Sequence, residues 1–276
     1  MSYLKPKKFR KYVFWIFKRH PYLYFTRFRL LSKNVSESDI NQESYNLTNK
    51  SDDIPKIFFE VNKLIFLPNE ELKDIDKMKK LSMWLVDHIK GGPGLSLSSQ
   101  KALEIMLAGK GGVCSDMAQI FNNFCIINNL MVREWGVTLI PFDTNFGGHS
   151  FNEVFSKELN KWIFVDVSNC LLFYSDFQDR PLSVIELYDL VRKKKFPKAF
   201  FFNKENKFKE KIINDYYFNV QAAPFLICSY STKTYDFYLE KLRPFVPVFI
   251  IHFFILFFGK SYSYKFPMDN YKLLFS

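Results

Sequence analysis

Apolar and polar positions alternate along this chain with two different periods. From Ile54 to Ile89 the apolar residues recur at spacings of three and four, with Leu81, Trp84, Leu85, His88 and Ile89 among them, and this predicts helix. Gly91-Gly92-Pro93-Gly94 stops the pattern, and Leu95 to Gly112 leads through a polar stretch and a short helix to a second glycine cluster. Beyond that cluster Ala118, Phe121, Phe124, Cys125 and Ile127 fall at helical spacing. The period then shortens to two: Val132 to Ile140, Ser150 to Phe155 and Trp162 to Val167 predict strands, the last two joined by the polar turn Lys157-Glu158-Leu159-Asn160. The predicted elements mix helices with strands, the class α+β, with helical extensions at both ends.

The flanks have a different texture. Residues 9 to 31 mix cations with aromatic rings and suit a helix on an anionic membrane surface, broken into two short pieces by Pro21; a solvated or RNA-binding arm is the plain alternative. Ser32 to Asp53 is rich in Ser, Asn, Glu and Asp and reads as a linker. Residues 244 to 259, PFVPVFIIHFFILFFG, carry no formal charge. As helix they would extend about 24 Å, short of the roughly 30 Å hydrocarbon core, and Pro244 and Pro247 confine the helix further. An interfacial or re-entrant segment is the expectation there, against a buried helix or a dimer contact. The division expected is a basic arm and linker at 1–53, a central domain at 54–200, and an extension at 201–276.

Composition sharpens this picture. With 33 Phe, 19% aromatic and 48% hydrophobic residues, the chain has more apolar side chain than one core of this size uses, which points to a membrane or a partner. The net charge of +11 favours an acidic partner, and ten Lys and Arg residues precede the first acid, Glu37. The four cysteines, Cys114, Cys125, Cys170 and Cys228, show no CxxC pair and no neighbouring His that completes a zinc pattern, so neither disulfides nor a metal are assigned. Lys18, Arg19 and His20 interrupt any signal-peptide core. The expected location is cytoplasmic, or peripheral on the cytoplasmic face of a membrane, given the Lys and Arg beside both apolar ends.

The candidate chemistry begins at Gly109-Lys110-Gly111-Gly112-Val113-Cys114, a glycine loop entering the apolar helix. A cysteine at a helix N-terminus meets unpaired N–H groups and the positive end of the helix dipole, which favour the nucleophilic thiolate. Most free cysteines are buried apolar residues, so the weight comes from two further side chains. A hairpin centred near residues 157 to 159 sets His149 opposite Asp166 or one diagonal step away, and either register keeps both on one side of the sheet. Asp166 is then expected to accept the Nδ1 proton of His149, leaving Nε2 to face the thiol, an arrangement of nucleophile, base and orienting group.

Gly112-Val113-Cys114-Ser115-Asp116-Met117-Ala118, then Arg133, then His149-Ser150-Phe151-Asn152-Glu153-Val154, then Trp162-Ile163-Phe164-Val165-Asp166, resemble the pattern of the transglutaminase-like superfamily over about residues 75 to 190. The resemblance implies a papain-like core with the nucleophile helix packed on an antiparallel sheet, thiolate chemistry on a peptide, amide or ester substrate, and no obligatory cofactor. The chain departs from the pattern at Val167, where many relatives have Pro, and at Phe151, where Trp is common. For the oxyanion, the Cys114 N–H is one donor. Gln100 and Trp84 are the candidate side-chain donors, each with an ordinary alternative as a solvated or core residue. Asp116, Arg133, Asn152 and Glu153 are expected to support the site by hydrogen bonds or to touch substrate. Animal transglutaminases need calcium; no acidic loop with calcium-ligand spacing occurs here, so calcium dependence is not expected. The enzyme reading ranks ahead of a non-catalytic binding module on the same fold, and that ahead of a nucleic-acid-binding protein; oligomeric state is not legible.

Overall fold

The computed structural model describes residues 21–68, 70–143, 145–175, 180–203 and 209–276; the expectations for residues 1–20 lie outside them. In chain order the helices are α1 (Pro21–Leu31), α2 (Glu37–Asn41), α3 (Lys56–Ile65), α4 (Asp74–His88), α5 (Ser99–Leu107), α6 (Cys114–Ile127), α7 (Val184–Arg192), α8 (Lys209–Ile212), which runs into a π-helical turn Ile213–Tyr217, α9 (Thr232–Leu242) and α10 (Val248–Phe257). The strands are β1 (Ser32–Asn34), β2 (Val132–Leu139), β3 (His149–Ser156), β4 (Lys161–Val165), β5 (Leu171–Tyr174), β6 (Lys198–Phe201), β7 (Ala222–Cys228) and β8 (Ser263–Phe266).

The predicted helical stretch from Ile54 to Ile89 is therefore two helices. Pro68 lies in the break, where its fixed φ and missing N–H oppose a continuous helix. The three predicted strands appear as β2, β3 and β4, and the predicted nucleophile helix as α6. Six strands form one sheet in the order β1-β8-β7-β2-β3-β4, parallel between β1 and β8 and antiparallel elsewhere. The class is α+β.

Helix α6 has no solvent face over most of its length: Met117, Ala118 and every residue from Ile120 to Ile126 are buried. It lies against β2 and β3, where Phe121, Phe124 and Cys125 share a core with Val132, Val154, Ile163 and Val165 and with Leu81 and Leu85 of α4. The alternate residues Trp135, Val137, Phe151 and Phe164 point to the other face, onto α7, β5 and Tyr217. A third cluster places α1, α9 and α10 over β7 and β8, through Phe28, Tyr235, Ile251 and Ile255 against Phe225, Tyr264 and Phe266. Gly136 makes this join possible, because a Cβ there would stand 2.4 Å from the Phe225 ring.

The three-part division expected from the sequence does not describe this sheet. Strand β1 comes from the stretch read as a linker, which also buries Ile40 and Tyr45. Strands β7 and β8 come from the expected C-terminal extension, and β7 pairs with β2 along six residues of each strand. Short strands with distant partners carry little local signal, and their hydrogen bonds are satisfied only in the assembled sheet.

Candidate active site

The two glycine clusters fix the turn before Cys114. Gly92 N–H donates to the Gly112 carbonyl at 2.8 Å, and Gly112 N–H to the Pro93 carbonyl at 2.9 Å. The approach is too close for side chains: a Cβ on Gly92 would stand 2.9 Å from the Gly111 Cα, and one on Gly112, whose φ is +111°, would strike Met106. Asp116 completes the clamp. Its Oδ2 accepts from Val113 N–H at 3.0 Å and Leu95 N–H at 3.2 Å, tying the first turn of α6 to the chain after the first glycine cluster. Cys114 is thereby held as the first residue of α6, half-buried, with the rest of the helix locked in the core.

His149 begins β3, and its partner is reached through the hairpin. Asn152 pairs with Val165, so His149 and Asp166 sit one diagonal step apart on the same side. His149 Nε2 donates to Asp166 Oδ2 at 2.8 Å. This reverses the expected use of the ring: Nε2, not Nδ1, faces the carboxylate, and Nδ1 is left for the thiol. The hairpin register determines the face from which the ring projects and leaves its rotation about χ2 open. The groups that act most strongly on the Cys114 sulfur, apart from burial, are the His149 ring and the Ser150 backbone N–H at the start of β3.

The electrostatics favour a charged pair. Burial alone would raise the Cys114 thiol, but the His149 ring, by hydrogen bond and charge, and the Ser150 N–H outweigh it and bring its pKa below the ordinary value. For His149, burial opposes protonation and is outweighed by the charge and hydrogen bond of Asp166 and by Cys114, so its pKa is raised. Asp166 is held below its ordinary value despite complete burial, by His149, Tyr217 and Asn169. The other cysteines go the opposite way: burial lifts Cys125 well up, and Cys170 and Cys228 to about 12. Of the four, Cys114 alone has its thiol lowered rather than raised.

Several participants are invisible in the sequence pattern. Tyr217 Oη donates to Asp166 Oδ2 at 2.6 Å, and Asn169 donates to the same carboxylate from its side chain at 2.6 Å and its backbone at 3.2 Å. The Tyr216 ring stacks on His149 with centroids 4.6 Å apart. Asn169, three residues after Asp166, could have been found as a local turn partner. Tyr216 and Tyr217 lie about fifty residues on, in a π-helical turn with no periodic signal.

The supporting residues occupy three places. Asn152 bridges β3 to α6, donating to Asn122 Oδ1 at 2.7 Å and the Ala118 carbonyl at 3.3 Å. Asp116 caps the turn as described above. Arg133 and Glu153 form a buried pair at 2.6 Å, in which Glu153 also accepts from Trp135 Nε1 and the Val184 N–H, while Arg133 donates to the Ile40 carbonyl. That pair joins β2 and β3 to α7 and α2. Of the oxyanion candidates, Gln100 is exposed and donates to Glu104 on its own helix, and Trp84 stacks on His88 of α4 at 4.0 Å. Glu134, unremarked in the sequence, lies beneath α6, accepts from Gln119 and Asn122, and is pushed by burial up to about 8.

Among the described residues no group of three or more His, Cys, Asp or Glu side chains is placed to hold a metal ion, and no helix is long and apolar enough to cross a membrane. No protein-family model matches the chain, and no curated protein matches it. Among solved structures, a protein of Cytophaga hutchinsonii, provisionally named a cysteine protease, aligns with 43% of this chain and 37% of its own, at 21% identity and a TM-score of 0.32.

Proposed function

We propose that this chain is a transglutaminase-like cysteine enzyme that cleaves or transfers acyl groups at amide or ester bonds. The observation that carries the reading is the His149–Asp166 hydrogen bond of 2.8 Å, buried at the start of β3, with the same ring lowering the Cys114 thiol. Cys114 is the nucleophile, His149 the acid and base, and Asp166 the group that orients the ring and stabilises its charge.

The geometry supports the following course. The Cys114 thiolate attacks the substrate carbonyl carbon, forming a C–S bond. The oxygen that becomes negative is met by the N–H of Cys114, one of the unpaired donors of the first turn of α6. When the carbonyl reforms, the bond to the leaving amine or alcohol breaks, and imidazolium His149 gives that group its Nδ1 proton. A thioester remains on Cys114. Water or an amine then attacks it, His149 takes the proton, and the thiolate leaves. Water yields hydrolysis and an amine yields transfer. No step calls for a metal or organic cofactor.

Intact-mass analysis after incubation with p-nitrophenyl acetate and with simple peptide amides tests this reading. An acetyl adduct on Cys114 that hydroxylamine removes, absent from Cys114→Ser and slowed in His149→Ala, is the expected result. Labelling of Cys114 at the same rate in His149→Ala would overturn it.

A further inference from the structure

Helix α10 packs inversely to an ordinary surface helix. It seats Ile251 and Ile255 in the cluster with β8 and turns His252 inward beside Tyr235, yet its outer face is apolar as well. Phe253 is 59% exposed, Phe254 40%, Phe257 74% and Phe258 56%, and Phe245, between Pro244 and Pro247, is 84% exposed. The patch continues onto α9, where exposed Phe237 touches Tyr238, and Tyr238 in turn stacks on Phe258. Contiguous aromatic surface of this kind marks an interaction site.

Charge says what covers it. From Lys241 to Lys260 the chain holds three cations, Lys241, Arg243 and Lys260, and no acid. Neither Lys241 nor Lys260 forms an ion pair among the described residues. Helix α1 shares the cluster behind α10 and carries no acid, its Arg27 held on Tyr264 Oη and its Arg29 over the Phe275 ring, and it follows twenty residues with seven more cations and no acid. The ten residues of α10 extend about 15 Å, half of a hydrocarbon core, so the helix is built to lie along an interface. We propose that the phenylalanine face of α10, led by Phe245, docks in the headgroup region of an anionic lipid bilayer, with the flanking Lys and Arg on the phosphates. This inference is independent of the thiol chemistry.

The test is flotation of the full-length protein with phosphatidylcholine vesicles, with and without phosphatidylserine, at low and high salt. The wild type is expected to float with the phosphatidylserine vesicles and to be released by salt. The Phe253→Ser/Phe257→Ser double variant removes only exposed rings. It is expected to lose about tenfold or more in partitioning while keeping its melting temperature and its rate of Cys114 alkylation. Lys241→Glu/Lys260→Glu should weaken binding to phosphatidylserine vesicles alone. Undiminished flotation of the phenylalanine variant would overturn the proposal. So would a wild type that ignores both vesicles and instead forms a dimer, detected by light scattering, which the same variant dissolves; the occupant would then be a second copy of the chain.

Discussion

The Asp166 carboxylate is fully buried and accepts from His149, Tyr217 and two groups of Asn169, which keeps it charged where burial alone would protonate it. Tyr217→Phe removes one of these donors without changing the shape of the ring. The remaining donors hold the carboxylate, so the thiolate population near neutral pH should fall by less than about tenfold, read as a small upward shift in the pH profile of Cys114 alkylation. Loss of the whole effect would mean that Tyr217, rather than Asp166, sets the ring. At this scale the sequence discloses Cys114, His149 and Asp166, because a glycine-led helix start and a hairpin register are both local quantities. It does not disclose Tyr217, which comes from a distant turn, nor which imidazole nitrogen meets the acid, which depends on a side-chain rotation that no spacing encodes.

Between elements, the fit of α6 to β2 rests on Glu134 and that of α10 and its neighbours on Gly136. Glu134 holds its proton up to about pH 8 in the folded protein, whereas in the unfolded chain it loses it near the ordinary Glu value. The folded-state pKa is the raised one, so its contribution to stability is complete below the unfolded pKa and is lost as pH rises towards 8. Glu134→Gln should therefore gain stability relative to the wild type between pH 5 and pH 8. Thermal melts across that range check this, and a constant difference would show that Glu134 titrates normally. Gly136→Ala places a methyl group against Phe225, whose ring is packed by Phe28, Tyr264 and Phe266. Overpacking of this kind should cost about 1–3 kcal/mol in a denaturant titration. The elements themselves were legible from period and punctuation: β2, β3, β4 and α6 fall within a residue or two of their predicted bounds, and α6 starts at Cys114, where the glycine loop was expected to enter the helix.

For the whole molecule, one sheet draws strands from the expected arm and linker, central domain and extension alike, because sheet order is set by contacts across the chain. β1 and β8 have three and four residues and pair with each other across more than two hundred residues. Only β7, inserted between β8 and β2, makes the sheet continuous, and the same C-terminal part supplies Tyr217 to Asp166. A chain ending at residue 200 would therefore expose the edge of β2 and lose the covering of the His149–Asp166 pair. It should show no cooperative thermal transition by circular dichroism; a cooperative melt like that of the full chain would mean that the C-terminal strands are dispensable. The central claim, that Cys114, His149 and Asp166 act as one unit, is met most directly by measuring the rate of Cys114 alkylation by iodoacetamide against pH in the wild type, His149→Ala and Asp166→Asn. The account predicts a wild-type inflection below the ordinary thiol range near pH ~8.5, because the thiol is lowered and the imidazole raised, with both variants displaced upward towards that range and slowed by about tenfold or more at neutral pH. A wild-type thiol that titrates at or above the ordinary range, with both substitutions leaving the profile unchanged, would contradict it.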